Sequence, residues 1–324
     1  MFGARVFEFW VTRGPSKRTR LDLGEPWGSA SASAEDLLVA CGESLMTRGL
    51  VSGVPDLRRP AEWEEDPHPP RETPQLRCDD VRAVGPGQTL YKLKHGYHGE
   101  FDEALGRDGA VDISQRAPVH EYRALLFVPE SGPEGRLVVE TIARTCPITM
   151  LVRWLGYEGF RLDADRWLRP KVNQVADRRR IMELIRNAEK VTAELRQYRP
   201  SEPGRRRSVA TKLTHHVDAD YEREGLLREA LRWAEGGGDS EYVVRIESIA
   251  GYSPEALDET GLRFDDAALV VENDEGRKTI RPDSIRALFT YEFSADLPLD
   301  DDSWIASARS LLSGTLSEGT DITI

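Results

Sequence analysis

The stretch that most constrains the fold runs from Glu121 to Gly156. Two apolar and β-branched runs, residues 122–128 and 137–142, flank a segment of Pro, Gly and Ser, which is typical of a β-hairpin. Apolar residues then recur at helical spacing after Pro147, and the first turn of a helix tolerates proline. An isolated hairpin is not stable, so other strands must join it. The stretch therefore predicts a hairpin with a short helix packed on it, at the centre of a main domain.

The strand and helix patterns along the whole chain predict an α+β fold, with mixed or antiparallel sheets and flanking helices. The 324 residues are enough for two domains. We expect a main domain of residues 1–158 and 240–324 and a smaller inserted domain of residues 159–239. Glycines near both crossings, at 156–159 and 236–238, would allow the inserted domain to pivot.

Four further segments give local predictions that the structure can test. Residues 241–249 and 285–293 are apolar, and we interpret both as strands. Residues 55–77 are rich in proline and residues 99–114 in glycine and polar side chains, so both are predicted to be loops.

The cysteines and the hydropathy of the chain bear on its location. Cys41, Cys78 and Cys146 are an odd number without CxxC spacing, which favours a reduced chain without a disulfide framework. No window approaches the roughly 20 apolar residues that a membrane-spanning helix needs. We therefore expect a soluble, cytoplasmic protein.

Charge is distributed very unevenly along the chain. The formal net charge of -12 argues against a nucleic-acid partner. Residues 161–212, however, hold 15 Lys or Arg against seven Asp or Glu, a net charge of +8, while the rest of the chain carries -20. One interpretation is contact with phosphate, because the planar guanidinium donates two parallel hydrogen bonds. The other is a solvated face, or docking of the segment on the acidic remainder of the protein.

If the basic segment meets DNA, we expect contact with the backbone alone, because no base-reading motif is visible. The candidate DNA-contacting residues in the segment are Arg178, Arg179, Arg180, Arg205, Arg206, Arg207 and Lys212.

Sequence motifs for cofactors and catalysis are missing. The chain has no GxxxxGK[ST], no GxGxxG after a strand and no GxSxG, so we expect no cofactor and no catalytic set. An alternative is a metal-dependent nuclease that uses His95 and His98 with Glu100, Asp102 and Glu103. The ligand count and the helical context of a metal site are both missing, so we expect no metal site. A protein-interaction adaptor whose basic segment docks on an acidic partner is a third possibility.

From Tyr91 onward, the order of elements is similar to that of a known family. The residues that carry this likeness are 124–129, Gly135, 143–145 and Pro147, then 261–265 and 273–276, followed by a closing helix after Asp301. Their order of strand, turn, strand and helix entry resembles the RexA-like phage-exclusion proteins of phage lambda and other temperate phages. Residues 1–80 lie outside the resemblance.

The resemblance implies a function in anti-phage defence by abortive infection. RexA-like proteins are dimers that bind double-stranded DNA without strong sequence preference, sense an invading phage and act with a membrane partner, RexB, that depolarises the cell. It implies a homodimer, a double-stranded DNA partner and a RexB-like membrane protein here. Arg263 matches a basic residue of the family's DNA-contacting region, and Arg277 and Lys278 lie just beyond it.

Overall fold

The computed structural model describes residues 2–13, 19–25, 33–101, 103–106, 109–112, 118–143, 145–164, 167–199, 209–235, 241–273, 276–293 and 299–315. The chain divides into two compact units. The main unit comprises Met1–Val175 and Thr290–Ile324, and the inserted unit comprises Ala176–Phe289. The sequence predicts an insertion at 159–239, whereas the structure places both of its boundaries further along the chain.

Antiparallel strands and flanking helices confirm the predicted α+β fold. The strands are β1 (Phe2–Arg13), β2 (Leu50–Ser52), β3 (Pro74–Gly85), β4 (Gln88–Tyr97), β5 (Glu103–Gly106), β6 (Gly109–Asp112), β7 (Val119–Phe127), β8 (Gly135–Ile142), β9 (Leu168–Gln174), β10 (Lys190–Tyr198), β11 (Val209–His216), β12 (Asp266–Asn273), β13 (Gly276–Ile280) and β14 (Thr290–Glu292). The helices are α1 (Ala34–Arg48), α2 (Ile148–Leu162), α3 (Arg178–Arg186), α4 (Asp220–Ala234), α5 (Tyr242–Ile249), α6 (Pro254–Thr260) and α7 (Asp301–Thr315).

The main sheet has the order β14-β1-β8-β7-β4-β3-β2. The predicted hairpin is β7 and β8 near its centre, and α2 follows it, as the sequence predicts. Strands β14 and β9 share one edge of β1, where Arg5 pairs with Thr290 and Phe7 pairs with Gln174. The chain therefore leaves the main unit and returns to it at neighbouring positions on one strand.

Helices cover both faces of the main sheet, because its strands are apolar on both sides. On one face, α1 and α2 pack on the sheet, with Trp154 fully buried beside Val139 and Tyr91 in the same cluster. On the other face, α7 buries Trp304 against a cluster that includes Phe127. Burying such aromatic side chains contributes much of the stability of a core.

The inserted unit has a four-stranded antiparallel sheet of order β11-β10-β12-β13. Val191, Ala193 and Leu195 of β10 lie in one core cluster with Ile185 of α3 and Trp233 of α4. Because side chains alternate along a strand, the even-numbered residues of β10 point to the other face of the sheet. Helices thus cover one face, and the other, which we call the polar face, carries the polar side chains of β10 beside the buried Ala268 and Val270 of β12.

The predicted glycine pivots are not supported where the structure describes them. Gly156 and Gly159 lie inside α2, and a Cβ on Gly156 would come within 2.7 Å of Leu57 Cδ1. Gly156 therefore serves close packing rather than hinge motion. Residues 236–238 lie outside the described residues.

Two of the predicted strands are wrong. Residues 242–249 form α5, in which Val243 and Ile246 are buried one helical turn apart. Residues 285–289 form a 3-10 helix, and only the three residues of β14 follow as a strand. Both segments are short and apolar, and such runs do not separate helix from strand by period alone.

The two predicted loops also contain strands. Strand β3 begins at Pro74, inside the predicted loop 55–77. Strands β5 and β6 pair with each other inside the predicted loop 99–114. Nothing in their local composition is typical of strands, so pairing with a neighbouring strand decided the conformation.

Candidate nucleic-acid interface

The polar face of the inserted unit brings together charged side chains from three strands. Strand register places Arg196 of β10 opposite Lys212 of β11, and Glu194 lies two residues before Arg196 on the same face. Arg277 of β13 reaches across β12 to the same point. The site therefore arises from the alternation of side chains along β10 and from the pairing of β10 with β11 on one side and β12 on the other.

Glu194 is the centre of this arrangement. Its carboxylate accepts hydrogen bonds from Arg196 Nη2 at 2.6 Å, Lys212 Nζ at 2.6 Å and Arg277 Nη2 at 2.9 Å. We call these four residues the Glu194 cluster. Hydrogen bonds between ionised groups are roughly twice as strong as neutral ones, so the carboxylate holds its three cations in fixed positions.

The exposure of the four side chains differs sharply. The Glu194 side chain is 1% exposed, whereas those of Lys212 and Arg277 are 42% and 58% exposed. Burial opposes ionisation of Glu194, but hydrogen bonds from Lys212 and Arg196 outweigh it and lower the pKa of the carboxyl group below its ordinary value. The anion is therefore covered while two of its cations still face solvent.

Other acids reduce the excess charge around the cluster. Three cations on Glu194 leave two formal positive charges, and Glu272, 3.9 Å from Arg277, reduces the excess to one. Asp266 instead accepts hydrogen bonds from the hydroxyl groups of Tyr198 at 2.7 Å and Tyr242 at 2.8 Å. Asp266 also attracts Arg196, so the three acids balance the three cations, and this part of the polar face offers exposed positive groups without a net positive charge.

The connection between β10 and β11 joins the two strands beside the cluster. Tyr198 and Val209 are register partners, so the segment that includes Arg205, Arg206 and Arg207 leaves and returns at one end of the sheet. Residues 200–208 themselves lie outside the described residues.

The exposed Arg263 belongs to the loop that leads into β12 at the same end of the sheet. Two residues later, the backbone N–H of Asp265 donates to the carbonyl oxygen of Arg196 at 2.8 Å. The backbone therefore contacts Arg196 only two residues after Arg263, as expected if both arginines belong to one interface.

The arginines of α3 have a different environment. Arg178 pairs with Glu235 at 2.8 Å, and Arg186 pairs with Glu224 of α4 at 3.0 Å. This is the internal docking on acidic residues that the second interpretation of the basic segment predicts. Helix α3 packs on the helical side of the sheet. Arg178, Arg179 and Arg180 therefore do not join Lys212 and Arg277 in one cluster.

The sequence identifies Lys212 and Arg277 as candidates but misses the two residues between them, Glu194 and Arg196. The alternation of residues 191–196 contained the signal, because it places Glu194 and Arg196 together on the polar side. Lys278 follows Arg277 and pairs in register with the buried Val271, so it lies on the opposite face of the sheet.

The two histidines of the nuclease alternative both contact Gln75 but differ in burial. His95 is buried in β4, and its Nδ1–H donates to the carbonyl oxygen of Gln75 at 2.7 Å. Burial lowers the pKa of His95, which favours the neutral form of the ring. His98 instead lines an open cleft of about 830 Å³ with Arg77 and Lys94. Within the described residues, no group of three or more His, Cys, Asp or Glu side chains is placed to hold a metal ion.

Comparisons with known proteins leave the family open. No model of a protein family matches the chain, and no curated protein is significantly similar to it. Across the described ranges, no helix combines the length and the apolar character needed to cross a membrane.

Proposed function

We propose that the protein binds double-stranded DNA through the phosphate backbone, without reading its sequence, and that the Glu194 cluster is the main contact. The observation that carries the proposal is the geometry of the cluster, in which a covered carboxylate positions three cations and leaves Lys212 and Arg277 exposed. Guanidinium and ammonium groups arranged in this way bind phosphates, and they carry no information about the bases.

The exposed hydrogen-bond donors of the polar face also support a polyanion as the partner. Lys212, Thr214, His216, Arg277 and Thr279 are exposed on it, and each carries a hydrogen-bond donor. A sheet surface with several exposed donors can contact successive phosphates of an extended ligand, whereas a small anion would use only one or two of them. The proposal describes a binding protein rather than an enzyme.

A charge-removal experiment tests this surface. Lys212→Gln with Arg277→Gln removes two cations, and each lost charge contact contributes roughly 1 kcal/mol to binding before screening by salt. Because salt screens part of this energy, we expect roughly tenfold weaker binding to unrelated duplexes at about 100 mM salt. Binding is measured by fluorescence anisotropy. The matched control is Arg228→Gln with Arg232→Gln, which removes two exposed arginines from α4 on the helical side.

The control double variant is expected to bind DNA like the unchanged protein. Equal loss of affinity in both double variants would show a general charge effect and not a contact surface. A loss restricted to one duplex sequence would contradict contact with the backbone alone. Thermal unfolding of each variant establishes that the comparison is made between folded proteins.

The resemblance to RexA-like proteins supports a wider proposal. The protein would serve a prophage-encoded exclusion system in the cytoplasm, as a homodimer that senses infection on DNA and signals to a RexB-like membrane protein. Light scattering tests whether the protein is a homodimer, since a homodimer has twice the 36.4 kDa mass of one chain. A single chain at micromolar concentration would remove the homodimer from the proposal.

A further inference from the structure

A second cationic site lies in the main unit, in a pocket of about 370 Å³ between α2, β9 and β1. Thr149 and Arg153 are one helical turn apart on α2, so both face the pocket. Arg169 and Lys171 are two residues apart on β9 and share one face of that strand, and Trp10 of β1 is the register partner of Lys171.

Arg169 is unusual because it is a buried arginine that forms no ion pair with any acid in the described part of the chain. The residue is 8% exposed, and its guanidinium carbon lies 5.7 Å from the ring centre of Trp167. In the described part of the chain, the guanidinium forms no hydrogen bond or ion pair. A buried cation without a partner is costly, so such groups are normally paired or bind a ligand.

Arg153 also lacks an ion pair with any described residue, and the acid in the neighbourhood is already engaged. Asp56 accepts hydrogen bonds from Arg58 Nε at 2.9 Å and Arg58 Nη2 at 2.7 Å. Burial lowers the pKa of Arg169, and repulsion by Arg153 adds to this effect. Asp56 also attracts both guanidinium groups, but no acid is among the described residues that line the pocket.

We propose that this pocket binds a small ligand that carries a phosphate group, held by the guanidinium groups of Arg153 and Arg169 and the hydroxyl group of Thr149. The fork of arginine matches two phosphate oxygens, and a hydroxyl group donates a further hydrogen bond. The volume lies at the lower end of the range for small-molecule sites, about 300–1,000 Å³, and suits a ligand of mononucleotide size.

Trp10 distinguishes two sources of the phosphate. Its indole ring lines the pocket, with the guanidinium carbon of Arg20 at 4.5 Å from the ring centre. A base that stacks on this ring would gain affinity that inorganic phosphate lacks. A nucleotide should therefore bind more tightly than inorganic phosphate, and Trp10→Leu should weaken the nucleotide alone.

The test uses the full-length protein and isothermal titration with inorganic phosphate, pyrophosphate, AMP and ADP. We expect binding of at least one of these ligands, and Arg153→Gln should weaken it roughly tenfold, since a charge-assisted hydrogen bond is lost. The matched control is Arg161→Gln, also on α2, whose side chain pairs with Glu158 and does not line the pocket. The control should bind like the unchanged protein.

Two results would overturn the proposal. One is the absence of binding by all four ligands at millimolar concentration, with no rise in melting temperature. The other is an equal affinity in Arg153→Gln and the unchanged protein. If Arg153→Gln weakens only DNA binding while the small ligands do not bind, the pocket contributes to a polyanion surface and the small-ligand proposal fails.

The inference does not depend on the proposed DNA surface. Lys212→Gln with Arg277→Gln alters the inserted unit only, so it should leave the affinity for small phosphate ligands unchanged. The DNA-binding proposal and the small-ligand proposal can therefore each be refuted by its own binding measurement.

Discussion

Glu194→Gln separates the two roles of the central carboxylate, which are to position three cations and to cancel one positive charge. Glutamine keeps the shape and one acceptor oxygen but removes the charge. Hydrogen bonds to charged groups contribute about 1.5–3 kcal/mol each. Because the cations are partly solvated and the amide oxygen replaces one bond, we expect a net loss of about 2 kcal/mol in the free energy of unfolding. The melting temperature should fall by roughly 5–10 °C.

DNA affinity should change in the opposite direction. Without the negative charge, Lys212 and Arg277 are free to contact phosphate fully. One charge pair at 4 Å in water contributes about 1 kcal/mol, so we expect roughly fivefold tighter binding at low salt. The salt slope should also become steeper by about one unit, the value for one further phosphate contact. A fluorescence anisotropy titration measures both quantities.

Glu229→Gln is the matched control for this experiment. Glu229 is 3% exposed in the same unit and accepts hydrogen bonds from Arg245 Nε and Arg245 Nη2, both at 2.8 Å, but it lies on α4 on the helical side. The control should lose stability without a gain in DNA affinity. The reasoning fails if Glu194→Gln binds DNA no more tightly than the unchanged protein, or if Glu229→Gln gains as much.

Two further predictions concern the pH dependence and the electrostatics of the main unit. Burial lowers the pKa of His95 below 6.5, so the unfolded chain binds more protons than the folded protein, and the free energy of unfolding should fall as the pH drops below about 6.5. His95→Asn keeps a hydrogen-bond donor towards Gln75 and should abolish that fall when stability is measured by chemical denaturation. A variant with the same pH profile as the unchanged protein would contradict the prediction. Arg123 pairs with the buried Glu140 at 3.2 Å and with Asp301 at 2.9 Å. Arg123→Met leaves a buried carboxylate uncompensated, and we expect a loss of about 3–5 kcal/mol in urea denaturation, with a loss below 1 kcal/mol counting against it.

The sequence predicted those strands and helices that have a clear periodicity and a clear turn or cap beside them. The hairpin β7–β8 was recognisable because two β-branched runs flank an unmistakable turn. Helix α5 was not, because it has only eight residues, and its five apolar ones fit either period. Strand β9 was missed for another reason, since it owes its conformation to pairing with β1, which is distant in sequence.

The candidate site divides in the same way. Lys212 could be named from charge and Arg277 from the family resemblance, but the carboxylate that organises them could not be named, because its partners come from three strands. The arginine triplet at the start of α3 was the more conspicuous signal, and yet Arg178 pairs with Glu235. A count of charges identifies cations, whereas only strand register and helix packing show which of them the protein itself neutralises.

The salt dependence of DNA binding is the decisive measurement of contact with the phosphate backbone. Each phosphate contact contributes about 0.9 to the slope of log affinity against log salt, so three contacts predict roughly 40-fold weaker binding between about 50 and 200 mM salt. The account predicts this fall for duplexes of unrelated sequence alike. Affinity that does not change over this range of salt, or no binding at its lower end, would contradict it.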